Sequence, residues 1–315
     1  MPKPKYAGLA LLVYPASQTG ASTDGLVEHL GRRREEVEET LLATGAVLFR
    51  GYGVASPADL RRIANAWSES QLRYVGGNTP RTELQAGVYT STEYPAAHEI
   101  SLHNELSYAP SWPTWLLFCC IEPADEGGET PLAHSRSVLK RLDQSLAAKF
   151  EKLGVRYTQR LHGGNGFGRS WSATFDTTSR NAVEHSLREQ GARFRWMDDG
   201  GLEIVHDRPA VIAHPATHER VWFNQAEQWH PSSLPDDIRA DLVDVLGEAG
   251  LPHDACFGDG TPFLDEELDE IRSCLRAEQT LFKWEPGDVL LLDNVLVAHG
   301  RRPFQGSRRV IVTMM

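Results

Sequence analysis

The chain has 315 residues, long enough for one large domain or two small ones with a well-buried core. Its 41% hydrophobic and 24% charged residues are ordinary for a globular protein, and a formal net charge of −11 argues against a nucleic-acid or anionic-membrane surface. The four cysteines Cys119, Cys120, Cys256 and Cys274 form no Cys-x-x-Cys pair, which suggests neither a zinc knuckle nor a disulfide framework and leads us to expect a reduced, cytoplasmic setting.

At the N-terminus Lys3 and Lys5 precede an apolar stretch from Ala7 to Tyr14, at the short end for a signal segment and with no convincing small-residue cleavage site after it. No run approaches the ~18 apolar residues of a membrane span. Ala46 to Phe49 reads as a strand. Ser56-Pro57 then starts a helix whose stripe is Leu60, Ile63 and Trp67. Trp115 to Ile121 is a second strand. Leu139, Leu142, Leu146, Phe150 and Leu153 recur at helical spacing, with Gly154 placed to cap the end. The segment Gly163-Gly164-Asn165-Gly166-Phe167-Gly168 lacks the Lys-Ser/Thr of a P-loop and reads as either a mobile loop or a surface turn.

Short strands are expected at Val211 to Ala213 and Val221 to Phe223. Helical faces follow at Ile238, Leu242, Val245 and Leu246, and at Leu264, Leu268, Ile271 and Leu275. A Pro286-Gly287 turn leads into the strand Val289 to Leu292, and Gly306-Ser307 sets up the last strand, Val310 to Thr313. These strands do not alternate regularly with helices, which argues against a doubly wound parallel sheet. A mainly β, jelly-roll core of the cupin kind fits better, as a single domain over residues 1–315 with a helical insert between about 136 and 280.

His103-Asn104-Glu105 is the most informative motif. In extended chain, residues i and i+2 face the same side, so His103 and Glu105 can reach one metal while Asn104 faces away. A third ligand type, His299, lies far downstream. Two histidines and one carboxylate form the facial set that holds Fe(II) and leaves open positions. Arg308 and Arg309 follow His299, and a guanidinium behind the metal would pair bidentately with the distal carboxylate of a dicarboxylic cosubstrate. Gly127-Gly128-Glu129-Thr130 ends in a hydroxyl suited to the same carboxylate. His134, His162, His214, His218 and His230 read as structural or surface histidines.

Taken together, the segments 89–94 (Tyr-Thr-Ser-Thr-Glu-Tyr), 103–108 (His-Asn-Glu-Leu-Ser-Tyr), 127–131 (Gly-Gly-Glu-Thr-Pro), 221–225 (Val-Trp-Phe-Asn-Gln) and 287–309 resemble the taurine dioxygenase (TauD/TfdA) family of Fe(II)/2-oxoglutarate-dependent oxygenases, and within it the syringomycin-type (SyrP-like) hydroxylases of natural-product biosynthesis. The similarity runs from roughly residue 40 to the end. It implies a double-stranded β-helix, with His103, Glu105 and His299 holding Fe(II). It also implies 2-oxoglutarate held by Thr130 and Arg309, with Arg308 the alternative, and dioxygen as oxidant. The family's commoner carboxylate is Asp; its halogenases have none, so Glu105 favours hydroxylation or desaturation. The implied substrate is a small amino-acid-like molecule, free or tethered to a carrier protein, with Asn104 placed near it. A zinc-dependent hydrolase on the same ligands, or a non-catalytic jelly-roll binding protein, are the competing readings.

Overall fold

The computed structural model describes residues 11–17, 20–72 and 81–315. Lys3, Lys5 and the first half of the Ala7 to Tyr14 stretch lie outside the described residues. Two sheets form the core. The larger has seven strands in the order Leu12–Pro15, Ala46–Arg50, Val289–Asp293, Trp115–Glu122, Arg309–Met314, Val88–Thr90 and Glu83–Gln85. The smaller has four, in the order Gln279–Thr280, Leu132–His134, Val297–Arg301 and Ile100–His103. Every pair is antiparallel except Leu12–Pro15 with Ala46–Arg50. This is the double-stranded β-helix expected from the sequence.

Alternation along the large sheet explains why its strands read as continuous apolar runs. Leu48, Leu116, Phe118, Leu290, Leu292, Val310 and Val312 point between the sheets, where they meet Leu132 and Val297. The intervening Val47, Phe49, Leu117, Cys119, Leu291 and Ile311 pack beneath the helices Thr23–Arg32, Arg34–Thr44 and Pro57–Trp67. A strand covered on both faces has no polar side to show. The helix Pro57–Trp67 starts as its sequence demands: Ser56 accepts a hydrogen bond from the Asp59 amide at 3.2 Å, and Pro57 occupies the first turn.

The segment expected as a helical insert is mixed. It carries helices and also its own antiparallel sheet, Arg193–Trp196, Leu202–Arg208, Val155–Leu161 and His253–Phe257 in spatial order. The apolar stripe from Leu139 to Leu153 is split into two helices, Ser135–Arg141 and Gln144–Leu153. Asp143 causes the break, because its carboxylate accepts from the amides of Ser145 and Leu146 at 2.8 and 3.2 Å and so begins a new helix. The helix Asp236–Leu246 has no buried residue, so its apolar stripe is not a core face. Among the described residues, no helix is long and apolar enough to cross a membrane.

Candidate metal centre

His103 ends the strand Ile100–His103, and its partner in the antiparallel register is His299, in the middle of Val297–Arg301. Strand pairing therefore brings the two imidazoles together, with ring centroids 4.6 Å apart. Glu105, two residues on, presents its carboxylate to the same point; its Oε2 lies 3.9 Å from His299 Nε2. One ligand atom from each of His103, Glu105 and His299 falls within 4.8 Å of the others, and all three residues are buried.

The donor set suits a divalent cation. His103 Nδ1 lies 2.8 Å from the Ser101 carbonyl, which fixes the proton on Nδ1 and leaves Nε2 as a lone pair. Burial pulls the His103 pKa down against the opposing pull of Glu105. His299 is held well below its ordinary value, by burial first and then by His103 and Arg81. Both rings are thus neutral, the form that ligates a metal. Two neutral nitrogens and one carboxylate, without sulfur, match a borderline ion such as Fe(II).

Asn104 does not face the pocket. Its Nδ2 donates to the Asn294 carbonyl at 2.6 Å and to Ser135 Oγ at 3.3 Å, so the expectation that it contacts substrate is corrected. The alternation that aims His103 and Glu105 at one point turns Asn104 into the protein. Its own carbonyl accepts from Gln225 Nε2 at 2.7 Å. Asn104, between the first two ligands, is therefore held by three partners.

Beside the triad lies a pocket lined by Ser91, Thr92, Phe118, Thr130, Val310 and three arginines, Arg81, Arg301 and Arg308. Arg308, not Arg309, enters the pocket; Arg309 is exposed and pairs in register with Glu122. Arg308 and Val310 line the same wall, and the ladder shifts register between Arg309 and Val310. Burial lowers the Arg308 pKa to about 10, with the like charge of Arg301 adding to it, which still leaves a cation at neutral pH. Its Nε donates to the Gly128 carbonyl at 2.9 Å. Gly128 has φ +72, and a Cβ there would stand 3.0 Å from Arg308 Cδ, so glycine serves both the turn and the approach of the arginine.

Thr130 reaches the pocket as expected, and Trp284 Nε1 donates to its Oγ1 at 3.1 Å. Four residues not assigned from sequence complete the site. Arg81 pairs with Glu105 Oε2 at 2.6 Å, with both side chains almost wholly buried. Arg301 lines the pocket and ties down residues 94–98 by donating to the carbonyls of Tyr94, Pro95 and His98 at 2.9, 2.7 and 2.9 Å. Asn294 holds Glu105, and Asp293 beside it caps the turn into the His299 strand through bonds of 2.9 and 3.0 Å from the Val295 and Leu296 amides. His134, His162, His214, His218 and His230 do not line the pocket. The Gly163–Gly168 segment is exposed and does not line it either.

Comparison with known proteins agrees with this geometry. The family model described as taurine catabolism dioxygenase TauD, TfdA family matches residues 12–315. The dapdiamide synthesis protein DdaC of Enterobacter agglomerans is 35% identical over 300 residues, spanning 95% of this chain and 89% of that one. A clavaminate synthase-like protein of Arabidopsis thaliana is 32% identical over 291 residues, spanning 90% and 84%. Among solved structures, PvcB, described as an Fe, alpha-ketoglutarate dependent oxygenase from an isonitrile synthetic pathway, superposes with a TM-score of 0.52 at 15% identity over 96% of this chain and 84% of its own. With a full-length family match, two relatives above 30% identity and the β-helix already described, the chain belongs to the TauD/TfdA family of dioxygenases.

Proposed function

We propose that this protein is an Fe(II)- and 2-oxoglutarate-dependent dioxygenase that hydroxylates an unactivated carbon of a small amino-acid-like molecule in natural-product biosynthesis. The observation that carries the reading is the buried cluster of His103, Glu105 and His299 facing a pocket that also holds Thr130 and Arg308. A hydrolase using the same three ligands would have no use for a cationic grip on a second carboxylate. Support for the biosynthetic setting comes from the relative named for dapdiamide synthesis.

In this reading His103 Nε2, His299 and the Glu105 carboxylate hold the iron. Bound together, iron and 2-oxoglutarate activate dioxygen and supply an oxidant able to attack a C–H bond, with succinate and carbon dioxide as coproducts. Arg308 and Thr130 bind the far carboxylate of 2-oxoglutarate. The indole N–H of Trp284 is a donor only, so Thr130 Oγ1 must accept from it and keeps its own proton for an acceptor in the pocket. Phe118, whose ring centroid lies 5.2 Å from that of His299, and Val310 give the grip an apolar wall, which strengthens the ion pair at Arg308.

The test is aerobic turnover: Fe(II)-loaded protein, 2-oxoglutarate and a panel of amino acids and their acyl derivatives, with succinate and hydroxylated product measured together. Iron-dependent formation of both, abolished in His299→Ala, is the expected result. Retention of zinc with hydrolysis and no succinate would overturn the reading.

A further inference from the structure

We propose that His214 is a positioning residue of the metal centre, holding Glu105 and His299 in place through Asp293 and Asn294. The inference rests on the reading of His103, Glu105 and His299 as metal ligands; His214 neither lines their pocket nor belongs to the cluster.

The loop between the paired strands Val211–Ala213 and Arg220–Trp222 is wound around this one ring. The His214 amide donates to the Glu219 carbonyl at 2.8 Å, and its carbonyl accepts from the His218 amide at 2.9 Å. Its Nδ1 accepts from the amides of Ala216 and Thr217 at 3.3 and 3.1 Å. A ring that accepts at Nδ1 carries its proton on Nε2. That proton goes to Asp293 Oδ2, 2.9 Å away, and each of the two side chains is 3% exposed.

Asp293 stands at a corner of the fold. It ends the strand Val289–Asp293 of the seven-stranded sheet, whereas Val297–Arg301, which carries His299, belongs to the four-stranded one. The chain crosses between the sheets in residues 294–296, and Asp293 Oδ1 holds that crossing by accepting from the Val295 and Leu296 amides. A carboxylate buried this deeply is costly unless both its oxygens are met. Amides meet Oδ1 and His214 meets Oδ2, so the imidazole keeps the carboxylate turned towards the corner. Inside the corner Asn294 clamps the main chain of Glu105, and the strand that leaves it delivers His299 opposite His103. His214 therefore bears on two of the three ligands without touching either. Metal–ligand distances tolerate only about 0.2 Å, so slack in the corner appears as lost metal affinity.

His214 and Asp293 also share the wall of a cavity of about 250 Å³ with Leu41, Leu42 and Trp115. A side chain shortened at 214 opens into that space, from which water reaches Asp293. His214→Ala thus loses the aim of the corner rather than the fold.

The experiment titrates metal-free, full-length protein with Mn(II) in a calorimeter, beside urea unfolding of the same variants. His214→Ala is expected to bind Mn(II) roughly tenfold to a hundredfold more weakly. His214→Gln, whose Nε2 still donates to Asp293, recovers most of the loss. Leu187→Ala, cut in the separate apolar cluster of the insert, loses stability but binds Mn(II) as the native protein does. In an Asn294→Ala background the factor lost on adding His214→Ala is smaller by about threefold or more, because both cuts fall on one chain of contacts. Unchanged Mn(II) affinity in folded His214→Ala would overturn the proposal, as would a glutamine variant no better than alanine. So would equal factors in the two backgrounds, or an equal loss of Mn(II) affinity in Leu187→Ala. If His214→Ala does not fold, Asp293→Asn cuts the same contact: weakened Mn(II) binding there supports the proposal and unchanged binding overturns it. A native protein that binds no Mn(II) would instead overturn the metal-binding reading and take this proposal with it.

Discussion

Asn294 clamps the main chain of Glu105 from both sides. Its Oδ1 accepts from the Glu105 amide at 2.7 Å, and its Nδ2 donates to the Glu105 carbonyl at 3.0 Å and to the Pro113 carbonyl at 2.9 Å. Asn294 is fully buried, so Asn294→Ala strands three backbone groups away from water. We expect a stability loss of about 3 kcal/mol and weaker metal binding, read from urea unfolding with and without Mn(II). A change below about 1 kcal/mol would show that the clamp adds little beyond the strand pairing of the two histidines.

Leu106, next to that clamp, has a φ of 57°, a left-handed conformation that costs an L side chain roughly 1–2 kcal/mol. Because the backbone is held there, Leu106→Gly should be more stable than Leu106→Ala by about 1 kcal/mol, although glycine fills less space. Urea midpoints of the two variants decide it, and the reverse order would mean that packing, not backbone strain, governs the position.

The two adjacent arginines should separate cleanly. Arg308→Ala leaves a buried carboxylate of 2-oxoglutarate unpaired and should cost about 2–5 kcal/mol of binding. Arg309→Ala removes an exposed side chain and should change the affinity less than about twofold, the size of a surface contact. Trp284→Phe takes one neutral donor from Thr130 and should cost about 1 kcal/mol. Calorimetric titration of the Mn(II)-loaded variants with 2-oxoglutarate gives the three values on one scale.

Two buried histidines outside the metal centre predict acid sensitivity. Burial lowers the pKa of His206 to about 4, helped by Arg208, whose guanidinium lies 3.1 Å from the His206 ring nitrogen. Burial takes His134 to about 3. Unfolded histidine titrates near 6.5. Between the two values the unfolded chain binds more protons, so stability is intact above pH ~6.5 and falls as the pH drops towards ~4. His206→Gln should flatten that slope by an amount on the order of 2 kcal/mol. Chemical denaturation at a series of pH values measures it, and an unchanged slope would contradict the assignment.

The metal centre was legible because its chemistry is local in pattern: His103 and Glu105 share parity in extended chain, and His299 follows a strongly apolar stretch. The arginine was not legible, for a physical reason. The last strand is buried on both faces, so Val310, Ile311 and Val312 carry no polar alternation to show which of Arg308 and Arg309 points inward. Asn294 and Trp284 act only through contacts across the fold, which no local pattern encodes. The insert sheet is a different case. Val155–Leu161 alternates strictly between buried and half-buried residues, and its polar partners Arg156, Thr158 and Arg160 stand in the sequence, but it directly follows a strong helical stripe that carries the larger periodic signal. The exposed helix Asp236–Leu246 shows the limit of periodicity, which marks a helix without saying what covers its apolar side.

The most direct test of the account is an anaerobic titration of metal-free protein with Fe(II) and then 2-oxoglutarate, watching for the visible metal-to-ligand charge-transfer band. The account predicts a band in the native protein and in Arg309→Ala, a band that needs far more 2-oxoglutarate in Arg308→Ala, and none in His299→Ala. No band in the native protein, or a band that survives in His299→Ala, would contradict it.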